Sequence, residues 1–266
     1  MTLKLTILGC GSSAGVPRIG GDWGKCDPSN PKNRRRRCSL LIEALNTSGA
    51  TRVLVDTSPD MREQMLSANV PKLDAVWFTH EHADHTHGLD DLRAFFLIER
   101  KRIPVYADAT TSEMLRTRFA YCFNNSQEYP AIAELKPIVA GQKLSTDGAG
   151  PAITSLPFEV RHGNINALGF RLGNSAYVPD VNGLPDAAKS ALLGLDVLIF
   201  DALRYTPHPS HFSLPETLAV IADVKPKRTI ITNMHIDLDY DTLRRELPEG
   251  VEPAYDGMTI EINSKP

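Results

Sequence analysis

The stretch FTHEHADHTHG, residues 78–88, holds four of the eight histidines of this 266-residue chain, with two acidic residues among them. His80 and His82 are two positions apart. On a helix this spacing would turn them roughly 200° apart, but in a loop that leaves a strand, here AVWF, both can reach one ion. Asp84 and His85 follow just past the turn and can face a second ion. The string H-x-H-x-D-H predicts a site for two metal ions, because imidazoles suit borderline ions and the carboxylate offsets positive charge.

The alternative interpretation of this stretch is a solvated polar loop with histidines present by chance. Four imidazoles are seldom so dense without a metal, so we favour the metal site. His87 stands apart, because it precedes Gly88 at the start of a helix, where a histidine can cap or pack. We expect His87 to have a structural role.

Three further polar residues stand at the ends of apolar strands elsewhere in the chain. His162 ends PFEVRH, Asp180 ends SAYVPD and His235 ends RTIITNMH. Loops gather at strand ends, and binding sites are built there. A polar residue at one strand end is more often a satisfied polar group than a ligand. Three of them beside a histidine cluster are better explained as further metal ligands.

The composition limits the classes of protein to be considered. The formal net charge is −3, so an anionic partner must be met by a local basic patch. The four cysteines are widely spaced without a C-x-x-C pair, which suits reduced thiols. The apolar run at the start is too short for a signal peptide, and no later run approaches the ~20 apolar residues of a membrane span. We expect a soluble, cytoplasmic protein with no membrane partner.

Strand-like and helix-like segments alternate along the chain, and no linker divides it. The first 56 residues are predicted to form strands and turns, and a second β-rich segment runs from Ala131 to Leu172. Helices are predicted for SPDMREQMLSAN, with Ser58 as the N-cap, and for LPETLAVIADV. The pattern indicates one domain, residues 1–266, in which two sheets pack together with helices outside.

Along the chain, the candidate ligands are H-x-H-x-D-H at residues 80–85, then His162, Asp180 and His235. With its ligands in this order, the chain resembles the metallo-β-lactamase superfamily of hydrolases. The resemblance also includes the upstream element VLVDTSPD and covers nearly the whole chain. It implies an α/β fold, a four-layer αββα sandwich of two mixed β-sheets with outer helices, and two divalent ions, zinc or manganese. The ligand sets that it implies are His80, His82 and His162 for one ion, Asp84, His85 and His235 for the other, Asp180 as the bridge, and Asp56 as the residue that orients the histidine loop.

Within that superfamily the sequence is similar to the PhnP-like phosphodiesterase branch, which is related to tRNA 3′-processing endonucleases and to PqqB. The opening LTILGCGSSAGVPRIGG, the element DTSPDMREQ and the end YDGMTIEI carry this similarity. It implies that His211 acts beside the metals. The branch also has a structural zinc bound by three cysteines and a histidine. Here only Cys26 stands in the matching loop and position 238 is Leu, so we expect this zinc to be missing.

The resemblance and the complete ligand set predict a metal-dependent phosphodiester hydrolase for cyclic phosphates or small nucleotide-like diesters. A hydroxide generated at the metals would attack, with His211 as the acid for the leaving oxygen and His208 as a weaker candidate for acid or substrate contact. Asp84 is a catalytic candidate as well as a ligand. The alternatives are a tRNA 3′-end processing endonuclease and a non-catalytic, PqqB-like carrier. Nucleic acid is the less favoured partner, and a homodimer is compatible with the sequence.

Two other motifs bear on ligand binding. GCGSSA, residues 9–14, fits a dinucleotide-binding pattern, but Pro17 and a glycine pair stand where the helix should follow, so we favour a tight turn near the site. The arginines Arg34 to Arg37 directly precede a strand, whose alternation sends them to opposite sides. Salt bridges on a solvated face are the favoured interpretation. Arg34 and Arg37 stay weaker candidates for binding an anionic substrate.

Overall fold

The computed structural model describes residues 2–125 and 129–263, whose strands form two seven-stranded sheets. In pairing order, the first sheet consists of β14 (Thr259–Asn263), β1 (Thr2–Gly9), β2 (Ser39–Asn46), β3 (Gly49–Val55), β4 (Ala75–Trp77), β5 (Ile103–Ala107) and β6 (Ala133–Pro137). The second consists of β13 (Val251–Pro253), β12 (Arg228–Thr232), β11 (Val197–Asp201), β10 (Ser175–Val178), β9 (Ile165–Leu172), β8 (Ile153–His162) and β7 (Leu144–Thr146).

Both sheets are mixed. In the first, β14, β1, β2 and β3 pair antiparallel, and β3 to β6 pair parallel. In the second, β7 to β10 pair antiparallel, and β10 to β13 pair parallel. The parallel strands of one sheet have their carboxyl ends at one edge, where ligand sites of open α/β sheets form.

Helices cover the outer faces of the sheets. The α-helices of the described residues are α1 (Met61–Ser67), α2 (Ala83–Thr86), α3 (Leu92–Glu99), α4 (Ala109–Arg118), α5 (Ala120–Phe123), α6 (Asp186–Ala191), α7 (Leu214–Val224) and α8 (Tyr240–Glu246). Buried residues of α1, α3, α4 and α5 pack on the first sheet, and those of α6 and α7 pack on the second. Within the described ranges, no helix has the length and apolar content needed to cross a membrane.

The largest apolar cluster lies between the two sheets. Leu5 and Trp77 of the first sheet meet Phe170 and Ile199 of the second, and the Trp77 and Phe170 ring centroids are 5.5 Å apart. Burying side chains of this size contributes about 1.5–3 kcal/mol each, so this layer holds the sheets together. The order helix, sheet, sheet, helix confirms the predicted four-layer αββα sandwich.

Both helix predictions are confirmed, but the first helix begins later than predicted. α7 begins after Ser213, which forms a capping box with Glu216. α1 begins at Met61 rather than after Ser58. The Ser58 hydroxyl instead donates to the Gln64 side chain at 2.8 Å, so it fixes the loop ahead of the helix and does not cap it.

Candidate metal centre

The histidine loop leaves the short strand β4 and ends in the single turn of α2. His80 lies in the loop and His85 in α2, and both are buried. Gly88 follows the turn, and a Cβ at this position would lie 2.1 Å from the Ser58 carbonyl oxygen. Only glycine allows this close approach, which seats the end of the histidine loop on the loop that precedes α1.

Asp56 lies beneath the histidine loop. Its backbone has a φ of 64°, and its side chain is fully buried. One carboxylate oxygen accepts the Thr79 backbone N–H at 2.8 Å. The other accepts the Thr79 hydroxyl at 2.8 Å and Nδ1–H of His85 at 2.7 Å. Because Nδ1 of His85 is used in this way, its Nε2 is the ring nitrogen that faces the cluster.

The structure brings histidines from three parts of the chain to one aspartate. Ligand atoms lie within 4.8 Å of one another in three groups of described residues, namely His80, His82 and His162, then His80, His85 and Asp180, then His162, Asp180 and His211. His162 stands at the end of β8, and its Nδ1 donates to the Ser210 carbonyl at 2.7 Å. Its Nε2 is 3.1 Å from Nδ1 of His82, so both rings present a nitrogen to the same space.

The centre of the cluster has the chemistry of a cation site. Three buried atoms lack a hydrogen-bond partner among the described residues: Nε2 of His80, Nε2 of His85 and one carboxylate oxygen of Asp180. Nε2 of His85 is 3.1 Å from that oxygen. Buried polar atoms are nearly always satisfied, and these three converge, so the residues fit a divalent metal ion.

The pKa shifts agree with this fit. Burial, with the nearby His85, holds the pKa of His80 well below its usual range, which favours the neutral imidazole that binds metals. Burial opposes the charge of His85 too, but the carboxylates of Asp180, Asp84 and Asp56 outweigh it and raise the pKa of His85 well above its usual range. Positive charge is therefore favoured at the point where a metal cation would lie.

Asp84 and His235 lie at the edge of the cluster. The Asp84 carboxylate is 3.4 Å from Nε2 of His85. His235 lines the same cavity of about 420 Å³, but its Nε2 is contacted by the Arg18 guanidinium, and its Nδ1 donates to Asp237 at 2.9 Å. His235 thus shares the cavity with His82, Asp84, His162 and Asp180 without joining the three close groups.

His211 lies beside the cluster and is paired with a buried carboxylate. Its Nδ1 is 2.8 Å from Asp201 and 3.8 Å from Asp180. Burial lowers the affinity of the ring for a proton, but Asp201 outweighs this and raises the pKa of His211 to about 9. Burial raises the pKa of Asp201 to about 7, against the opposing effect of His211. The pair shares a proton, and we place it on His211, whose charge the carboxylate stabilises.

The weaker substrate-binding candidates lie in different places. His208 lines the histidine cavity, with its ring centroid 5.3 Å from that of His211. Arg34 and Arg37 line a separate cavity of about 610 Å³, and Arg37 forms an ion pair with Asp60 at 3.1 Å. The structure does not bring these two arginines to the histidine cavity.

Four further residues of the site were not predicted from the sequence. Asp201 ends β11, and Asn233 follows β12 and contacts both Asp180 and His211, at 3.3 and 3.2 Å. Both stand at strand ends, the signal that identified Asp180, and could have been found by it. Arg18 and Arg204 also line the cavity, but no motif or spacing indicates them.

Comparison with known proteins gives a consistent assignment. A family model described as the beta-lactamase superfamily domain matches residues 51–236. An octanoyltransferase of Porphyromonas gingivalis is 31% identical over 271 residues, covering 99% of this chain, which spans about half (52%) of that relative. The crystal structure of a diphosphatase from the PhnP family is 37% identical, with a TM-score of 0.88 and 98% of both chains covered.

A more distant structure shares the fold alone. Zinc-bound PqqB from Methylobacterium extorquens is 18% identical, with a TM-score of 0.71 over 97% of this chain and 99% of that one. The family match, the four-layer architecture and the full-length similarity to a PhnP-family structure confirm the resemblance that the sequence suggested. The chain belongs to the β-lactamase superfamily and, within it, to the PhnP family.

Proposed function

We propose that this protein is a metal-dependent phosphodiester hydrolase that acts on cyclic phosphates or small nucleotide-like diesters. The observation that carries the proposal is the convergence of unpaired ligand atoms of His80, His85 and Asp180 next to a cavity that Asp180 and His211 line. Metal ligands and a positioned acid are the two elements that diester cleavage with a poor leaving group requires.

Two divalent cations, zinc or manganese, would supply Lewis acidity and water activation in this site. Of the seven candidate ligands, five belong to the three close groups and two, Asp84 and His235, line the cavity nearby. The buried Asp56 fixes the ring of His85, and the Ser210 carbonyl fixes that of His162, so these imidazoles are oriented before any ion binds.

His211 is the group that would move a proton. Its Nδ1–H is directed to Asp201, which leaves Nε2–H as the proton available for the leaving oxygen. An alkoxide leaves poorly unless it is protonated, so the raised pKa of His211 keeps the acid form available at neutral pH. His208 lies 5.3 Å from His211, ring to ring, and would contact the substrate rather than act as the acid.

Hydrolysis of a diphosphate bond is a second candidate function. It is favoured by the full-length similarity, at 37% identity, to a diphosphatase of the PhnP family. The cavity volume of about 420 Å³ is compatible with either kind of small substrate.

A hydrolysis screen on metal-quantified protein tests the proposal. The substrates are bis(p-nitrophenyl) phosphate, p-nitrophenyl phosphate, a 2′,3′-cyclic nucleotide, a dinucleoside diphosphate and a precursor tRNA. We expect diesters to be cleaved faster than the monoester, with Asp180→Ala as the inactive control. Cleavage of the tRNA alone would favour the endonuclease alternative, and no cleavage by the metal-loaded protein would favour the carrier.

A further inference from the structure

A short hairpin, residues 18–22, stands at the mouth of the histidine cavity. The Arg18 N–H donates to the Asp22 carbonyl at 2.9 Å, and the Gly21 N–H donates to the Arg18 carbonyl at 3.0 Å. Gly20 and Gly21 have φ values of 94° and 81°, and a Cβ at either would meet no atom within 4 Å. The tip of the hairpin therefore lies in solvent, while its base holds Arg18 in the cavity wall.

The Arg18 guanidinium is only partly paired. One terminal nitrogen donates to Nε2 of His235. The other is 3.7 Å from the Asp22 carboxylate, which is too long for a hydrogen bond. Among the described residues, no carboxylate lies at hydrogen-bond distance from this guanidinium. A guanidinium has five N–H donors, so Arg18 has donors left for a ligand in the cavity.

The neighbouring arginines are more fully used by the protein itself. Arg204, which lines the same cavity, donates to two carbonyls of its own loop at 3.0 and 2.6 Å. Arg36 and Arg37 form ion pairs with carboxylates at 3.0 and 3.1 Å. Of these four arginines, Arg18 is the one with the most capacity left to bind an anion.

His235 links Arg18 to the candidate metal ligands. Nε2 of His235 has one lone pair, which can accept an N–H from Arg18 or bind a cation, but not both. If a metal ion binds to His235, the Arg18 guanidinium loses this partner while it remains in the cavity wall. Metal loading would thus turn Arg18 into an anion-binding group next to the reacting centre.

We propose that Arg18 binds a second, non-scissile phosphate of the substrate, so that the site prefers nucleotides with a diphosphate group to those with one phosphate. The inference rests on the second candidate function, hydrolysis of a diphosphate bond, and names a residue that would recognise its substrate. The paired N–H groups of a guanidinium match phosphate oxygens in geometry and charge. With the scissile phosphate at the histidine cluster, a directly attached second phosphate extends towards Arg18, whereas a single phosphate has no group to place there.

Equilibrium binding of two non-reacting nucleotides tests this proposal. Metal-loaded protein is titrated calorimetrically with AMP and with α,β-methylene-ADP. We expect the wild type to bind the diphosphate analogue more tightly. Arg18→Ala should lose about 10- to 100-fold in affinity for it, as for hydrogen bonds to charged groups, with little change for AMP. Arg18→Lys should keep part of the preference. Arg62→Ala is the matched control, because Arg62 is exposed, pairs with Glu63 and carries the same charge.

A second measurement follows the metal rather than the nucleotide. Since Arg18 competes for Nε2 of His235, Arg18→Ala should bind metal several-fold more tightly in competition with a chelator. Arg62→Ala should match the wild type in this measurement too. Metal affinity that does not change in Arg18→Ala would overturn the competition step of the inference.

The outcomes separate this inference from the proposed function. Unchanged binding of α,β-methylene-ADP to Arg18→Ala, or an equal loss for both nucleotides, would overturn the role of Arg18. The proposed function would still stand if bis(p-nitrophenyl) phosphate is hydrolysed. If the metal-loaded wild type cleaves neither diesters nor diphosphates, the proposed function fails, whichever nucleotide binds more tightly.

Discussion

Replacing Asp201 by asparagine should remove the acid form of His211 at alkaline pH. Asp201 is fully buried and lies 2.8 Å from Nδ1 of His211, and it is the main reason that the pKa of His211 is raised to about 9. The ordinary histidine value is about 6.5, so the pair favours the protonated ring by about 3 kcal/mol. In Asp201→Asn, the amide can still accept the Val181 N–H that Asp201 accepts at 3.0 Å, but it no longer stabilises an imidazolium.

The expected loss of kcat in Asp201→Asn depends on pH. A raised pKa means that the acid form is present below pH 9 and is lost as the pH rises through that value. At pH 8, about nine-tenths of the wild-type rings are protonated, against about 3% for a ring with the ordinary pKa of about 6.5. Burial of the ring, no longer opposed by Asp201, lowers its pKa further. We therefore expect Asp201→Asn to lose about 30-fold or more in kcat at pH 8 and clearly less at pH 6.

The assay compares two diesters over pH 5.5 to 9.5. A 2′,3′-cyclic nucleotide has an alkoxide leaving group that needs a proton, whereas bis(p-nitrophenyl) phosphate has one that leaves unaided. In Asp201→Asn, the alkaline limb of the plot of kcat against pH should move to lower pH for the cyclic nucleotide only. Elemental analysis should show the same metal content as in the wild type. A limb that stays in place in Asp201→Asn would refute the assignment of His211 as an acid held protonated by Asp201.

Loss of a buried ligand should remove metal as well as activity, so His80→Ala should contain less metal than the wild type by elemental analysis; retention of two ions per chain would contradict its assignment as a ligand. His211→Ala should lose ~10²–10⁴-fold in kcat on the cyclic nucleotide and much less on bis(p-nitrophenyl) phosphate, with metal retained. An equal loss on both substrates would leave His211 a binding residue at most. Cys26→Ser should keep its metal content, because the buried thiol faces the Leu238 carbonyl at 3.6 Å; loss of one zinc per chain would reveal a structural site there.

The sequence by itself determined the fold family and the positions of the candidate ligands. H-x-H-x-D-H lies within six residues, and His162 and Asp180 mark the ends of apolar strands, so local spacing and periodicity were enough to find them. The helix α7 was likewise predicted from the local segment LPETLAVIADV. These signals are short in range, because strand alternation, helix periodicity and caps are properties of neighbouring residues.

The pairing of side chains was decided by the tertiary structure. Arg18 meets His235 across 217 positions of the chain, and no local pattern relates a hairpin after the first strand to the end of β12. The run of arginines resembled an anion site, yet Arg37 is directed to Asp60 and lies outside the histidine cavity. The protonation state of His211 likewise depends on a buried carboxylate from another strand. Such contacts and pKa shifts arise only when packing fixes distances and excludes water, because the strength of a charge pair depends on its separation and its burial.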